Sequence, residues 1–144
     1  MLEKIKEIVF SKYSKTDIKG LFISVFDEKN DMLMSNGVAY TDKPLEQLIE
    51  TLFHWLVEKH NNIGHIIVDI VTDIQKIIDL NEIPNISLQE YGLILSTKDK
   101  SGILLPDTKW IINISQALKT IKEKNRLDWN AQITKFKTDR FSVI

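Results

Sequence analysis

Tyr91-Gly92-Leu93-Ile94-Leu95-Ser96-Thr97-Lys98-Asp99-Lys100-Ser101-Gly102-Ile103-Leu104-Leu105-Pro106-Asp107 is the stretch from which the fold is read. Two apolar runs, Leu93–Leu95 and Ile103–Leu105, flank a polar segment holding Lys98, Asp99, Lys100, Ser101 and Gly102. Strand-forming runs separated by a few turn residues predict a β-hairpin, with glycine supplying backbone freedom. Pro106 ends the second run, because it has no N–H to donate to a ladder. Nothing in the stretch is chemically reactive.

Working outward, the same signals order the rest of the chain. Leu2, Ile5, Ile8 and Val9 fall at helical spacing, and Gly20 then separates this opening helix from a strand, Leu21–Phe26. Asp27–Asp31 is a polar turn, Met32-Leu33-Met34 begins a returning strand, and Asn36-Gly37 signals a local turn or bulge. Leu45, Leu48, Ile49, Leu52, Phe53, Leu56 and Val57 form the clearest amphipathic helix, with Thr41 or Asp42 as its cap and Lys59–Gly64 as its end. His65–Ile78 reads as a longer strand, or a strand running into a turn, with Ile66, Val68, Ile70 and Ile74 on one face and a mixed set on the other. Asp79–Glu90 is a loop with a helical turn around Ser87–Glu90. Beyond the hairpin, Asn113 or Ser115 caps a helix whose face is Ile114, Ala117, Leu118 and Ile121. A final strand starts at Ala131. This order predicts an α+β fold with a mainly antiparallel, curved sheet, helices packed on it, and two loosely repeated helix/hairpin units.

At 144 residues the chain fits one domain, taken as residues 1–144. Its 43% apolar and 27% charged residues are the mix of a soluble globular protein rather than a disordered one. The chain has no cysteine, which excludes disulfides, thiolate catalysis and cysteine-ligated metal centres and fits a reducing compartment. Met1–Glu7 is too charged for the core of a signal peptide, and no apolar run is long enough to cross a bilayer. A cytoplasmic location is therefore expected. Net charge is −1, but Asp27–Glu90 carries 12 acidic and 4 basic residues, whereas Thr108–Ile144 carries 8 basic and 3 acidic. Such halves can attract each other within the fold, between copies or toward separate partners.

Gly20–Val25, Lys43-Pro44-Leu45, Val68–Thr72 and Lys135-Phe136 join the hairpin in a pattern that resembles the AMMECR-type domain family, which includes protein A of the AmmeMemoRadiSam system. Tyr91–Ile94 with Gly102–Pro106 resembles the family's "hGLhI…GLLLPQ" hairpin, and Gly20–Val25 its "GxFVTL" strand. Val68–Thr72 resembles its "IEVSVLT" strand, and Pro44-Leu45 the "PL" that opens a helix. The family's "LRGCIG" segment is replaced by Met32–Val38. Ser35 stands at the cysteine's place, or Asn36 after a one-residue shift, and no arginine is supplied. Pro106-Asp107 replaces Pro-Gln, and "DPRF" is missing. The resemblance identifies a diverged member and implies a two-repeat α+β architecture with little fixed biochemistry.

Candidate residues for chemistry are few. Ser35, Asn36, Asp69 and Asp73 form the candidate ligand-binding set, and no catalytic residue is assigned. Asp69 and Asp73 share one face of the predicted strand, as a pair of acid–base carboxylates would, although two solvated carboxylates are the plainer reading. A serine needs an adjacent base to become a nucleophile, and no G-x-S-x-G elbow surrounds Ser35, so a tight turn is its plainer role. His54, His60 and His65 lack metal-ligand spacing, and neither metal nor cofactor is expected. Trp55 is placed at the edge of its helix face, and Trp110 is a candidate interaction anchor if exposed. Lys119, Lys122, Lys124, Arg126, Lys135, Lys137 and Arg140, with Trp129 and Phe136 nearby, outline a basic region. A pI near 6.3 argues against nucleic acid as a partner. The reading favours a non-enzymatic role in binding another protein or a second copy. The alternative is a small-ligand-binding or enzymatic domain using a pocket near Met32–Val38.

Overall fold

In the computed structural model, which describes residues 1–109, 111–128 and 130–143, the hairpin forms as its sequence requires. Strands β4 (Gly92–Ser96) and β5 (Ser101–Leu104) pair antiparallel, with Leu93 opposite Leu104 and Ser96 opposite Ser101. The turn is closed by Thr97 N–H donating to the Lys100 carbonyl at 2.8 Å. Around it the chain runs α1 (Leu2–Phe10), β1 (Leu21–Asp27), β2 (Met32–Val38), α2 (Leu45–Leu56), β3 (Ile63–Lys76), a 3-10 helix (Leu80–Asn85), then the hairpin, α3 (Ile114–Asn125) and β6 (Gln132–Val143). The strands order as β2-β1-β3-β6-β4-β5, and β1–β2, β1–β3 and β4–β6 are antiparallel like the hairpin. The architecture is α+β, as expected. β1 lies between β2 and β3 as β4 lies between β5 and β6, so hairpin–helix–strand is repeated with one connectivity.

Two compact units divide the chain. The first is Met1–Thr72 with the end of β6 from Asp139, and the second is Asp73–Thr138. Ile5 and Val9 of α1, Leu45, Leu48, Ile49, Leu52 and Leu56 of α2, and the β1 and β3 side chains Leu21, Ile23, Val25, Ile66, Val68 and Ile70 form the first core, joined by Val143. The second core gathers Ile77, Leu93, Leu95, Ala117, Ile121 and Ile133. Each buried aliphatic side chain contributes about 1.5–3 kcal/mol relative to exposure. The helical periodicities of α1, α2 and α3 therefore mark the faces that the two cores use.

Local chemistry differs from the sequence reading in several places. α2 is not capped by the Thr41 or Asp42 side chain; its N-cap is Pro44 and no side chain bonds there. The carbonyls of Asp17 and Lys15 instead accept from Leu45 N–H (2.8 Å) and Glu46 N–H (3.2 Å), so a distant loop satisfies the helix's orphan donors. Ile63 and Gly64 already belong to β3 rather than ending α2. A 3-10 helix precedes the Ser87–Glu90 turn, with Asp79 accepting from Asn81 N–H at 3.0 Å. Asn113 is the cap of α3, accepting from Gln116 N–H at 2.8 Å. Trp110 and Trp129 lie outside the described residues.

Asn36-Gly37 is neither a turn nor a bulge. Gly37 pairs with Phe22 inside β2, and the register shift falls at Val25/Phe26, opposite Met34 and Met32. A Cβ on Gly37 would lie 2.2 Å from the Leu21 carbonyl oxygen and 2.6 Å from the Phe22 Cα. Glycine is needed for close backbone approach, not for a positive φ. Gly37→Ala is expected to lower unfolding stability in urea by about 2 kcal/mol, as overpacking against backbone does. A change within about 0.5 kcal/mol would contradict the close-approach account.

Candidate functional site

The residues singled out in the sequence fall into different environments. Ser35 lies in β2 opposite Ser24 of β1, and their Oγ atoms are 3.0 Å apart, with either able to donate. Ser24 is buried and Ser35 exposed. A hydroxyl partner is no general base, so this contact does not activate Ser35 as a nucleophile. Asn36 is exposed, and its side-chain oxygen accepts from Gly37 N–H at 2.7 Å.

Asp69 and Asp73 do not share an environment either. Asp69 has 0% exposure, on the mixed face of β3, where solvation was the plainer expectation. Arg140 Nε donates to its Oδ1 at 2.8 Å and Nη2 to its Oδ2 at 3.2 Å, a bidentate pair between β3 and β6. Asp73 is exposed and accepts from Gln75 Nε2 at 3.2 Å. One residue earlier on β6, Asp139 accepts from Tyr13 Oη at 2.5 Å and from Lys12 Nζ at 2.6 Å. The bonds from Lys12 and Tyr13 hold the Asp139 carboxyl below its usual range. Burial, then the bond to Asp139, pushes the Tyr13 phenol up to about 12. Tyr13 is thus a neutral donor, and this set fastens the segment after α1 to the end of β6.

A further feature of the first unit needs the strand order to be seen. β2 is an edge strand, with one side open to an added strand. Met32 is 50% exposed and Leu33, Met34 and Val38 are also exposed, in a strand without charge or proline. Because Leu21, Ile23 and Val25 point into the helix-covered core and pair with Val38, Asn36 and Met34, these three β2 residues point toward the helix side. α2 packs over β1 and β2 there. Its Glu46 and Glu50 turn toward α1, where Lys6 Nζ reaches Glu50 at 2.5 Å and Glu46 at 3.9 Å. The bond to Glu50 raises the Lys6 ammonium's pKa, and Lys6 lowers that of Glu50 in turn. Trp55 lies roughly 140° around the helix from Glu50. It is 56% exposed, with Lys59 Nζ 5.0 Å from its ring centre. Hydropathy placed Trp55 at the rim of its helix face, but only the strand order reveals the open edge beside that helix.

Other candidates are more ordinary. His54 pairs with Glu58 at 2.6 Å on exposed helix surface, and His65 stacks on Phe26 with centroids 4.5 Å apart. Among the described residues no group of three His, Cys, Asp or Glu side chains is placed to hold a metal ion. Of the basic region, Lys135 and Lys137 lie 4.6 and 4.9 Å from the Tyr91 ring centre, and Arg140 is engaged by Asp69. A cavity of ≈ 400 Å³ in the second unit is lined by Lys76, Ile77, Leu80, Gln132 and Ile133 among others, and by no residue of Met32–Val38. Its Gln132 amide already donates to the Ile77 and Ile133 carbonyls, at 3.4 and 3.1 Å. No helix among the described residues is long and apolar enough to cross a membrane.

Two hairpin–helix–strand repeats with separate cores define a mixed α+β domain of internally repeated design. The sequence pattern of the AMMECR1 family matches residues 52–144, and the chain belongs to that family. The match takes in the β4–β5 hairpin and leaves out Met32–Val38. The fold is similar to the crystal structure of an uncharacterized protein, PH0010, from Pyrococcus horikoshii, with a TM-score of 0.76 and 18% identity over 98% of this chain and 86% of that one. No curated protein matches the sequence.

The Asp69–Arg140 pair is testable as a structural element. Removing one partner of a buried pair leaves a charge poorly compensated, so Arg140→Met is expected to cost about 3 kcal/mol in urea unfolding. Adding Asp69→Asn to Arg140→Met is expected to recover part of that loss. A single-variant cost below about 1 kcal/mol would show the pair to be incidental, as surface pairs are.

Proposed function

We propose that the chain acts as one AMMECR1-family domain over residues 1–144 with a non-enzymatic, protein-binding role, and that its docking surface is the open edge of β2 with the adjoining flank of α2. The carrying observation is the exposed, uncharged Met32–Val38 edge. Natural edge strands are usually blunted by lysine, proline or a cover, and exposed apolar patches mark interaction sites. An open edge offers backbone donors and acceptors to an added strand, while Met34, Val38 and Trp55 offer apolar contact beside it. Methionine's flexible side chain suits such a surface.

The residues that would serve an active site support this reading through their other engagements. Ser35 faces a hydroxyl rather than a base, and the Asp69 carboxylate is bound by Arg140. Among the described residues no acid–base set converges near Met32–Val38 to favour the alternative of a ligand or enzymatic pocket there. Absence of cysteine supports a cytoplasmic setting for the proposed role.

A photo-crosslinking residue placed at Leu33 in living cells tests the proposal. A discrete adduct identified by mass spectrometry, absent with the probe at Lys124 and suppressed by Met34→Lys, is expected. Equal adduct patterns at the two positions would remove the β2 edge as a docking surface.

A further inference from the structure

Resting on that reading, we infer that the occupant of the β2 edge is a second copy of this chain, related by a two-fold axis that runs beside Ser35 and normal to the β1–β2 ladder. The exposed surface has two levels. One is the free strand edge, Met32–Val38; the other is the flank of α2 on the same side as Met34, Asn36 and Val38. An extended peptide would satisfy the strand edge and leave the Trp55 flank in water. The occupant that satisfies both presents a strand and, at the same height, a helix flank with an exposed aromatic side chain. Rotation about an axis normal to the ladder supplies this, because it sets β2 antiparallel to its mate and keeps both α2 helices on one face.

The charge pattern agrees. At about 100° per residue, Pro44, Gln47, Leu48, Thr51 and Trp55 fall on the flank away from α1 and none is charged. The charges beside it are those of Lys43 before the helix and of Glu58 and Lys59 past its end, with Lys59 against the Trp55 ring. Glu46 and Glu50 lie on the other flank, where Lys6 and Lys15 pair with them. β2 itself contributes no charge, so no like charges would meet across the strand seam, where they are costly. The two-fold makes the α2 helices antiparallel, which opposes their dipoles, and each flank then brings both signs of charge to the other, Lys43 at its start and Glu58 past its end. A centre at Ser35 places Met34 opposite Asn36 on each side and Ser35 opposite its own mate.

The chain has no cysteine, so Ser35→Cys introduces a single thiol at the proposed centre. Disulfide formation requires Cβ atoms about 3.5–4.5 Å apart, which directly opposed strand residues approach. Under mild oxidation Ser35→Cys is expected to form covalent dimers at least about tenfold faster than Ser101→Cys on the opposite edge strand, through the raised local thiol concentration. Sedimentation of the cysteine-free chain is expected to show dimers that dissociate on dilution. Met34→Lys is expected to sediment as a monomer with an unchanged thermal melt, which separates loss of association from loss of fold. Monomers at every concentration, with the two thiols oxidising alike, would overturn the two-fold. In that event, a crosslink from Leu33 to a different protein would leave the docking reading standing, and no specific crosslink would remove both.

Discussion

Asp69 carries a carboxylate to a position without solvent, and the Arg140 guanidinium meets both of its oxygens there. Desolvating a carboxylate is expensive unless a bidentate partner and further hydrogen bonds compensate it. The first unit is therefore complete only when the end of β6 arrives. Asp139 then bonds to Tyr13 and Lys12, and Val143 enters the core formed by α1, α2, β1 and β3. A strand that begins in the second unit thus finishes the first. Apolar replacements of buried ion pairs are often tolerated, so the net contribution of the pair is smaller than the cost of removing one partner.

That constraint also divides structure from function. Of the four candidate side chains, Ser35 and Asp69 bridge neighbouring strands, with Ser24 and Arg140, while Asn36 and Asp73 are exposed and make only local hydrogen bonds. The outer edge of β2 is different. The second hairpin ends in a short strand, with Lys98, Asp99 and Lys100 in its turn and Pro106 soon after, all devices that discourage edge pairing. The first hairpin carries charges in its turn, yet Met32–Val38 carries none and contains no proline. Two repeats with one connectivity have edges of opposite character.

Much of the fold was legible because it is written locally. Gly92–Leu105 announced the hairpin and Leu45–Val57 the face of α2, and of the two caps offered for α3, Asn113 and Ser115, Asn113 is the one used. What was not legible depends on residues far apart in the chain. The caps of α2 are carbonyls some 30 residues upstream, at Asp17 and Lys15. Gly37 looked like a turn signal beside Asn36, but its demand for space is set by Leu21 and Phe22 on the neighbouring strand. Asp69 looked solvated because its partner lies 71 residues away. The basic residue that completes this pair was visible only as one member of a charged C-terminal region. Edge status cannot be read from Met32–Val38 itself, since it follows from the order of all six strands.

The central claim is that the open edge of β2 is used, and that a second copy uses it. Amide hydrogen exchange across Met32–Val38 at rising protein concentration measures this most directly, because a strand edge that gains a neighbour gains hydrogen bonds. Protection of these amides that grows with concentration, while that of β5 stays constant, is the predicted result. Equally fast exchange of the outward β2 amides at every concentration would contradict it.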